Sequence, residues 1–182
     1  MLWPFNYFRR PDLAAAPTIE MIYGMIVTQA RRSVFYRDLG VPDTVDGRFD
    51  LLLLHLWMVL RRLRTTDDGM ETAQALFERF CEDMDDNLRE MGVGDLAVPR
   101  RMQAFGEAFY GRSRAYDLAL GQGLAALAQA LAKNILNGGG LDHAQVLAAY
   151  TMAGVTSLAA CDDAAMLRGA WSFPPASKGG SA

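Results

Sequence analysis

From Phe49 to Leu63 the chain is apolar on almost every side of a helix. Phe49, Leu52, Leu53, Leu56, Leu60 and Leu63 make one stripe, and Leu51, Leu54 and Met58 make another. A helix with so little polar surface belongs in the middle of a bundle, with other helices covering it. Its apolar run, Leu51 to Leu60, is interrupted by His55 and closed by Arg61 and Arg62. That is too short for a bilayer span, which takes about 20 residues. The rest of the chain must therefore supply the covering helices. The pattern predicts an all-α, single-domain helical bundle of about five to seven helices.

The covering helices can be read from spacing and breakers. Thr18 has the character of a cap, and Ile19, Ile22, Tyr23, Ile26 and Val27 follow at helical spacing. This helix is expected to run to about Asp38, where Gly40-Val41-Pro42-Asp43 breaks it. The central helix is expected from near Asp46 to Arg64, its last turn carrying Arg61, Arg62 and Arg64 at the negative end of the dipole. A third helix spans about Met70 to Met91, with Phe77, Phe80, Met84, Leu88 and Met91 inward and Gly92 as its stop. A fourth starts near Pro99, with Met102, Phe105 and Phe109 inward and a bend at Gly111. Asp117 to Asn137 continues or restarts the pattern, Gly138-Gly139-Gly140 interrupts it, and Leu141 to Cys161 forms a last long helix. Residues 1–17 read as an aromatic arm, 18–161 as the helical domain, and 162–182 as a largely disordered tail.

Composition narrows the function. Of 182 residues, 51% are apolar, which excludes a disordered chain; the net charge of −3 gives no pull toward nucleic acid. Cys81 and Cys161 share no CxxC spacing, and His55 and His143 complete a ligand set too sparse for a typical zinc site. A reducing compartment fits best. The start of the chain has no long apolar stretch of a secretory leader, so a cytoplasmic location is expected. The glycines at 138–140 lie between helices with no lysine after them, unlike a phosphate loop.

Other candidates are weighed against plainer roles. Glu82-Asp83-Met84-Asp85-Asp86 lies within a helix and lacks the glycine turn of a calcium loop. It reads better as a solvated face supported by Arg79–Asp83 and Asp85–Arg89 pairs, with a partner-binding patch left open. Cys81 beside Glu82 has its thiol pKa raised, unlike a nucleophile. No Ser-His-Asp arrangement emerges, so the chain is expected not to be an enzyme and to hold no cofactor or metal. His55 reads as a core or interface histidine, with haem ligation as the alternative. Charge is divided by region: 31–64 hold seven arginines and four acids, and 67–95 hold ten acids and two arginines. Such a division suits helices that pair with each other, or a charged rim around an aromatic and methionine interface. Trp3, Phe5, Tyr7 and Phe8 beside Arg9 and Arg10 suit a strap docked on the bundle, or a peripheral membrane contact at the inner face.

Two stretches also match a known pattern. One runs from Phe35-Tyr36 through Gly40-Val41-Pro42-Asp43-Thr44 to Gly47-Arg48-Phe49-Asp50-Leu51 and Leu54-His55-Leu56. The other runs from Asp83-Met84-Asp85-Asp86-Asn87-Leu88-Arg89-Glu90-Met91-Gly92-Val93-Gly94-Asp95-Leu96 through Val98-Pro99-Arg100-Arg101-Met102 to Phe109-Tyr110-Gly111-Arg112 and Ala115-Tyr116. Together they resemble the ubiquinol–cytochrome c chaperone family over about residues 30–137. The resemblance implies a helical assembly factor for the cytochrome bc1 complex, and the absence of an import leader suggests a bacterial member. Mitochondrial members of that family help newly made cytochrome b, act with a small partner protein and associate with the ribosome.

The expected mechanism is docking. A client helix, of cytochrome b or another bc1 subunit, or a partner's helix would lie in a groove edged by the second and third helices and the Gly92–Met102 connection. Asp83, Asp86, Arg100, Arg101 and Arg112 would orient it, and Gly92 and Gly94 would shape the connection. Asp43, Arg48, His55, Arg89 and Asp95 complete the candidate partner-binding set. A haem- or quinone-handling protein is the alternative function.

Overall fold

A computed structural model describes residues 16–176. Eight helices are found among them, and no strand. They are α1 (Ala16–Ala30), α2 (Ser33–Arg37), α3 (Val45–Leu63), α4 (Gly69–Glu90), α5 (Val98–Gln122), α6 (Leu124–Asn134), α7 (Leu141–Ala160) and α8 (Asp163–Arg168). Six are long and form the expected all-α bundle, while α2 and α8 are short.

The central position of α3 follows from its sequence. Every residue from Leu53 to Leu60 is buried, with α1, α4, α5 and α7 packed around the helix. Its start is capped by Thr44, whose hydroxyl accepts from the Gly47 backbone N–H at 3.1 Å. Only glycine fits at 47, because a Cβ there would lie 2.0 Å from the Pro42 carbonyl oxygen. Gly69, at the start of α4, is similarly confined: its Cβ would lie 2.2 Å from Leu63 O.

Three boundaries differ from expectation. The first helix was expected to reach Asp38, but it ends at Ala30 and α2 follows separately. Tyr36 Oη donates to Ala30 O at 2.7 Å, so a side chain from the next helix satisfies a carbonyl at the end of α1. α5 runs on through Gly111, where nothing occupies the space a Cβ would enter, and the helical pattern restarts as α6 only after Gly123, with φ +103. The third difference concerns the C-terminal segment.

The tail expected to be loose from residue 162 is instead packed through Ala176. Asp162 caps α8 by accepting from Ala165 N at 2.6 Å, and Gly169 ends it at φ +67. Met166 and Trp171 are buried, and Phe173 meets the His55 ring edge-on at 5.0 Å. Arg62 of α3 fastens the segment. Its guanidinium donates to Leu158 O (3.0 Å), Thr66 Oγ1 (2.5 Å), Cys161 O (2.7 Å) and Asp163 Oδ1 (2.7 Å). The apolar anchors of this segment find their partners far away in sequence, so local composition does not reveal them. Residues 1–15, with most of the aromatic arm, and residues 177–182 lie outside the described residues.

Candidate docking surface

Helices α3 and α4 are joined by five residues, 64–68, and pack side by side. A link that short makes them antiparallel neighbours. The start of α3, the end of α4 and the start of α5 therefore gather at one end of the bundle. Three large apolar side chains stand in solvent there: Val45 (71% exposed), Met91 (61%) and Leu96 (99%). Met91 and Leu96 flank the α4–α5 connection and Val45 opens α3 toward the same end of the bundle; exposed apolar side chains that gather in this way are the usual sign of a contact surface.

The corner between α4 and α5 is firmly built. Gly92 takes φ +78, and Val93 N donates back to Leu88 O at 3.0 Å, closing α4 with a left-handed stop. Ala97 N donates to Gly94 O at 2.8 Å, turning the chain into α5. Arg89 bridges the turn, with Nε on Asp85 at 2.5 Å and Nη1 on Asp95 at 2.6 Å. Val98 is buried beneath, so Leu96 is held outward by a fixed backbone. Underneath, Phe49 of α3 and Phe105 of α5 pack with ring centres 4.7 Å apart, both partly exposed.

Most of the candidate residues converge here. Arg89, Gly92, Gly94, Asp95, Arg100 and Arg101 lie on the corner, with Asp86 exposed one turn earlier on α4. Arg100 and Arg101 are exposed and form no ion pair among the described residues. Asp43 pairs with Arg48 at 2.7 Å at the start of α3, and the Arg48 guanidinium lies over the Tyr36 ring.

Three candidates fall elsewhere. His55 is fully buried, which removes it from any surface contact. Its Nδ1–H donates to Leu51 O at 2.7 Å, and its Nε2 accepts from Tyr150 Oη at 2.7 Å. Both ring nitrogens are thereby engaged, against a haem-ligand role in this arrangement. Tyr150 Oη in turn accepts from Gln29 Nε2 at 2.9 Å. Burial pushes the His55 pKa down to about 4, so the ring is neutral at physiological pH.

Arg112 lies mid-way along α5 and reaches inward to Asp50 Oδ1 at 2.6 Å, so it serves the core. Asp83 accepts from Tyr23 Oη at 2.8 Å and joins α4 to α1. The expected Arg79–Asp83 pair is replaced: Arg79 binds Glu20 at 2.6 Å and lies over the Tyr23 ring at 5.0 Å. Asp85–Arg89 forms as expected. The groove expected between the second and third long helices is also corrected. With Leu53–Leu60 buried, the middle of α3 offers no surface to a groove, and the open ground is the corner. Met91 was expected to face inward, yet it is exposed because the helix stops at Glu90.

The Cys81 thiol is pushed up to about 11, first by burial and then by Glu78 and Glu82. No group of three or more metal-ligating side chains that could hold an ion occurs among the described residues. No helix among them is long and apolar enough to cross a membrane.

The family model for ubiquinol-cytochrome C chaperones matches residues 37–173, three-quarters of the chain. The chain belongs to that family. The family match takes in the whole corner and continues through Phe173, in keeping with the packed C-terminal segment. The chain is 26% identical over 117 residues to ubiquinol-cytochrome-c reductase complex assembly factor 1 of Xenopus laevis, covering 64% of this chain and 58% of that protein. Its Drosophila melanogaster counterpart is 24% identical over 135 residues, covering 71% and 52% respectively. The chain thus spans little more than half the length of these chaperone-family relatives. Among solved structures, a Cbp3 homologue from Brucella abortus superposes with a TM-score of 0.83 at 36% identity, covering 93% of this chain and 95% of that one.

Proposed function

We propose that this chain is an assembly chaperone of the cytochrome bc1 complex that holds an apolar helix of a client, newly made cytochrome b or another subunit, against the α4–α5 corner. The observation that carries the site is Leu96, 99% exposed at the head of a turn fixed by Gly92 and Arg89. A client helix would cover Val45, Met91 and Leu96, giving the dry centre that stable contacts need. Arg100, Arg101 and the Asp43–Arg48 pair would form the polar rim and set the orientation of approach. The names of the relatives support the choice of complex. Nothing in this reading requires a reactive group; the work is done by contact.

The test places a photo-crosslinking amino acid at Leu96 and, as control, at Leu124, an exposed leucine at the start of α6. Expressed in cells that make the bc1 complex, Leu96 should capture a bc1 subunit and Leu124 should not. Equal or no capture from Leu96 would overturn the proposed site. An unchanged amount of assembled bc1 complex after deletion of the gene would overturn the proposed role.

A further inference from the structure

One side of the bundle carries no charge. Although 21% of the chain is charged, residues 118–132 and 144–161 hold no Asp, Glu, Lys or Arg. The second stretch is nearly the whole of α7, and the first takes in α6 up to Lys133. These two helices pack along each other, and α7 also packs on α3. The inner side of α7 is spent on the core through Leu147, Ala148, Tyr150, Thr151, Gly154 and Leu158. Its outer side presents Gln145, Ala149, Ala153, Thr156 and Ala160, at steps of three and four residues and all exposed. α6 adds exposed Ala125 and Gln129. Leu124 shares instead the face of buried Leu127 and Leu131, so it lies off this surface.

A face that meets only water ordinarily carries charges. We infer that the outer side of α7, with the exposed residues of α6, receives a membrane-spanning helix of the client along its length. The lengths agree. α7 has 20 residues, a rise of about 30 Å, and a bilayer span takes about 20 helical residues. The electrostatics agree as well. A charge-free row leaves no ion stranded when an apolar helix covers it, whereas a buried lysine or aspartate would lose its hydration without a partner. Small side chains let the two backbones come close, and the incoming helix supplies the large apolar side chains that fill the contact.

Two other occupants fit less well. A second copy would set alanines against alanines, with no aromatic or arginine anchor from either side. A lipid surface calls for basic and aromatic residues that settle at the headgroups, and the row has neither. The inference rests on the client reading above for the identity of the partner. It adds a second place of contact, because the corner is built from α3, α4 and α5.

The experiment places the photo-crosslinking amino acid at Ala149 and at Ala153 of the full chain, beside the Leu96 and Leu124 positions already named, in cells that make the bc1 complex. Ala149 and Ala153 should capture a bc1 subunit, with the linked residue inside a membrane-spanning segment, and Leu124 should not. Ala153→Lys sets an ammonium against the apolar helix and should lower capture from Ala149 about tenfold, while Ala153→Gln, of similar length and no charge, should hold it within about twofold. Capture from Leu96 with none from Ala149 or Ala153 would overturn this inference and leave the corner standing. Capture from none of the three would overturn both. Links from Ala149 that join two copies of the chain, or that carry only phospholipid, would overturn the inference too, as would equal losses from Ala153→Lys and Ala153→Gln.

Discussion

The Asp50 carboxylate lies 2.6 Å from the Arg112 guanidinium across the seam between α3 and α5, and both belong to a patch of incompletely satisfied buried groups. Asp50 Oδ1 and Arg112 Nε lack hydrogen-bond partners of good geometry, as do Ser113 Oγ and Tyr116 Oη on the same stretch of α5. Burial raises the Asp50 pKa to about 6, with the neighbouring charge of Asp46 adding to it and Arg112 opposing it. Losing Arg112 strands this carboxylate. Arg112→Met should cost about 3 kcal/mol at pH 7, the range for breaking a buried pair, as read by urea unfolding, and Asp50→Asn in the same chain should recover much of the loss.

Asp50 and His55 oppose each other in pH dependence. The folded state holds a proton on Asp50 that the unfolded state has released between pH about 4 and 6, so this group lowers stability as pH rises through that window. His55 does the reverse: its folded pKa of about 4 lies below the unfolded 6.5, so its contribution is present above pH 6.5 and is lost as pH falls toward 4. Each is worth about 3 kcal/mol across its window. Wild-type stability should therefore vary little between pH 4 and 6. Asp50→Asn should make stability rise with pH there, and His55→Gln should make it fall. Parallel curves for all three proteins would refute the assignment.

Two glycines should respond in opposite directions to the same change. Gly47→Ala drives a methyl group into the Pro42 carbonyl and should cost about 2–4 kcal/mol, in the range of severe overpacking. Gly106, inside α5, has open space at its Cβ, and Gly106→Ala should gain about 0.5–1 kcal/mol from helix propensity. Thermal unfolding of both variants settles the contrast.

Leu96→Ser should leave stability within about 0.5 kcal/mol of wild type, as for an exposed position without packing, while reducing assembled bc1 complex in cells. A loss of assembly accompanied by an equal loss of chaperone abundance would show that the residue matters for folding instead.

Arg62→Lys tests the attachment of the C-terminal segment. An ammonium cannot replace a guanidinium that reaches Leu158 O, Thr66, Cys161 O and Asp163 from a side chain only 12% exposed. The substitution should cost about 2–3 kcal/mol. Hydrogen exchange should quicken first in α8 and at residues 169–176.

The sequence carries the centre of the fold plainly because α3 is apolar on all sides and leaves only one place for itself. The separation of α1 from α2 depends on the Tyr36–Ala30 bond, and the order after Cys161 on Arg62, Trp171 and Phe173. The first is a single hydrogen bond across a helix break and the others join distant parts of the chain, so neither leaves a local periodicity. For the corner, the run from Arg89 to Arg101 is legible because consecutive residues of a turn stay together. Charge alone groups Asp83 and Arg112 with it, but helix geometry aims one at Tyr23 and the other at Asp50. Leu96 is legible as a lone leucine between turn residues, whereas the exposure of Val45 and Met91 depends on where α3 starts and α4 stops.

Arg89, tied to Asp85 on one side and Asp95 on the other, makes the corner rigid before anything arrives. The conformational entropy of this loop is surrendered when the protein folds, so little is left to lose on association. On the docking proposed above, discrimination among clients would then rest on how readily each incoming segment becomes helical, and a segment already coiled into a helix would be retained longest.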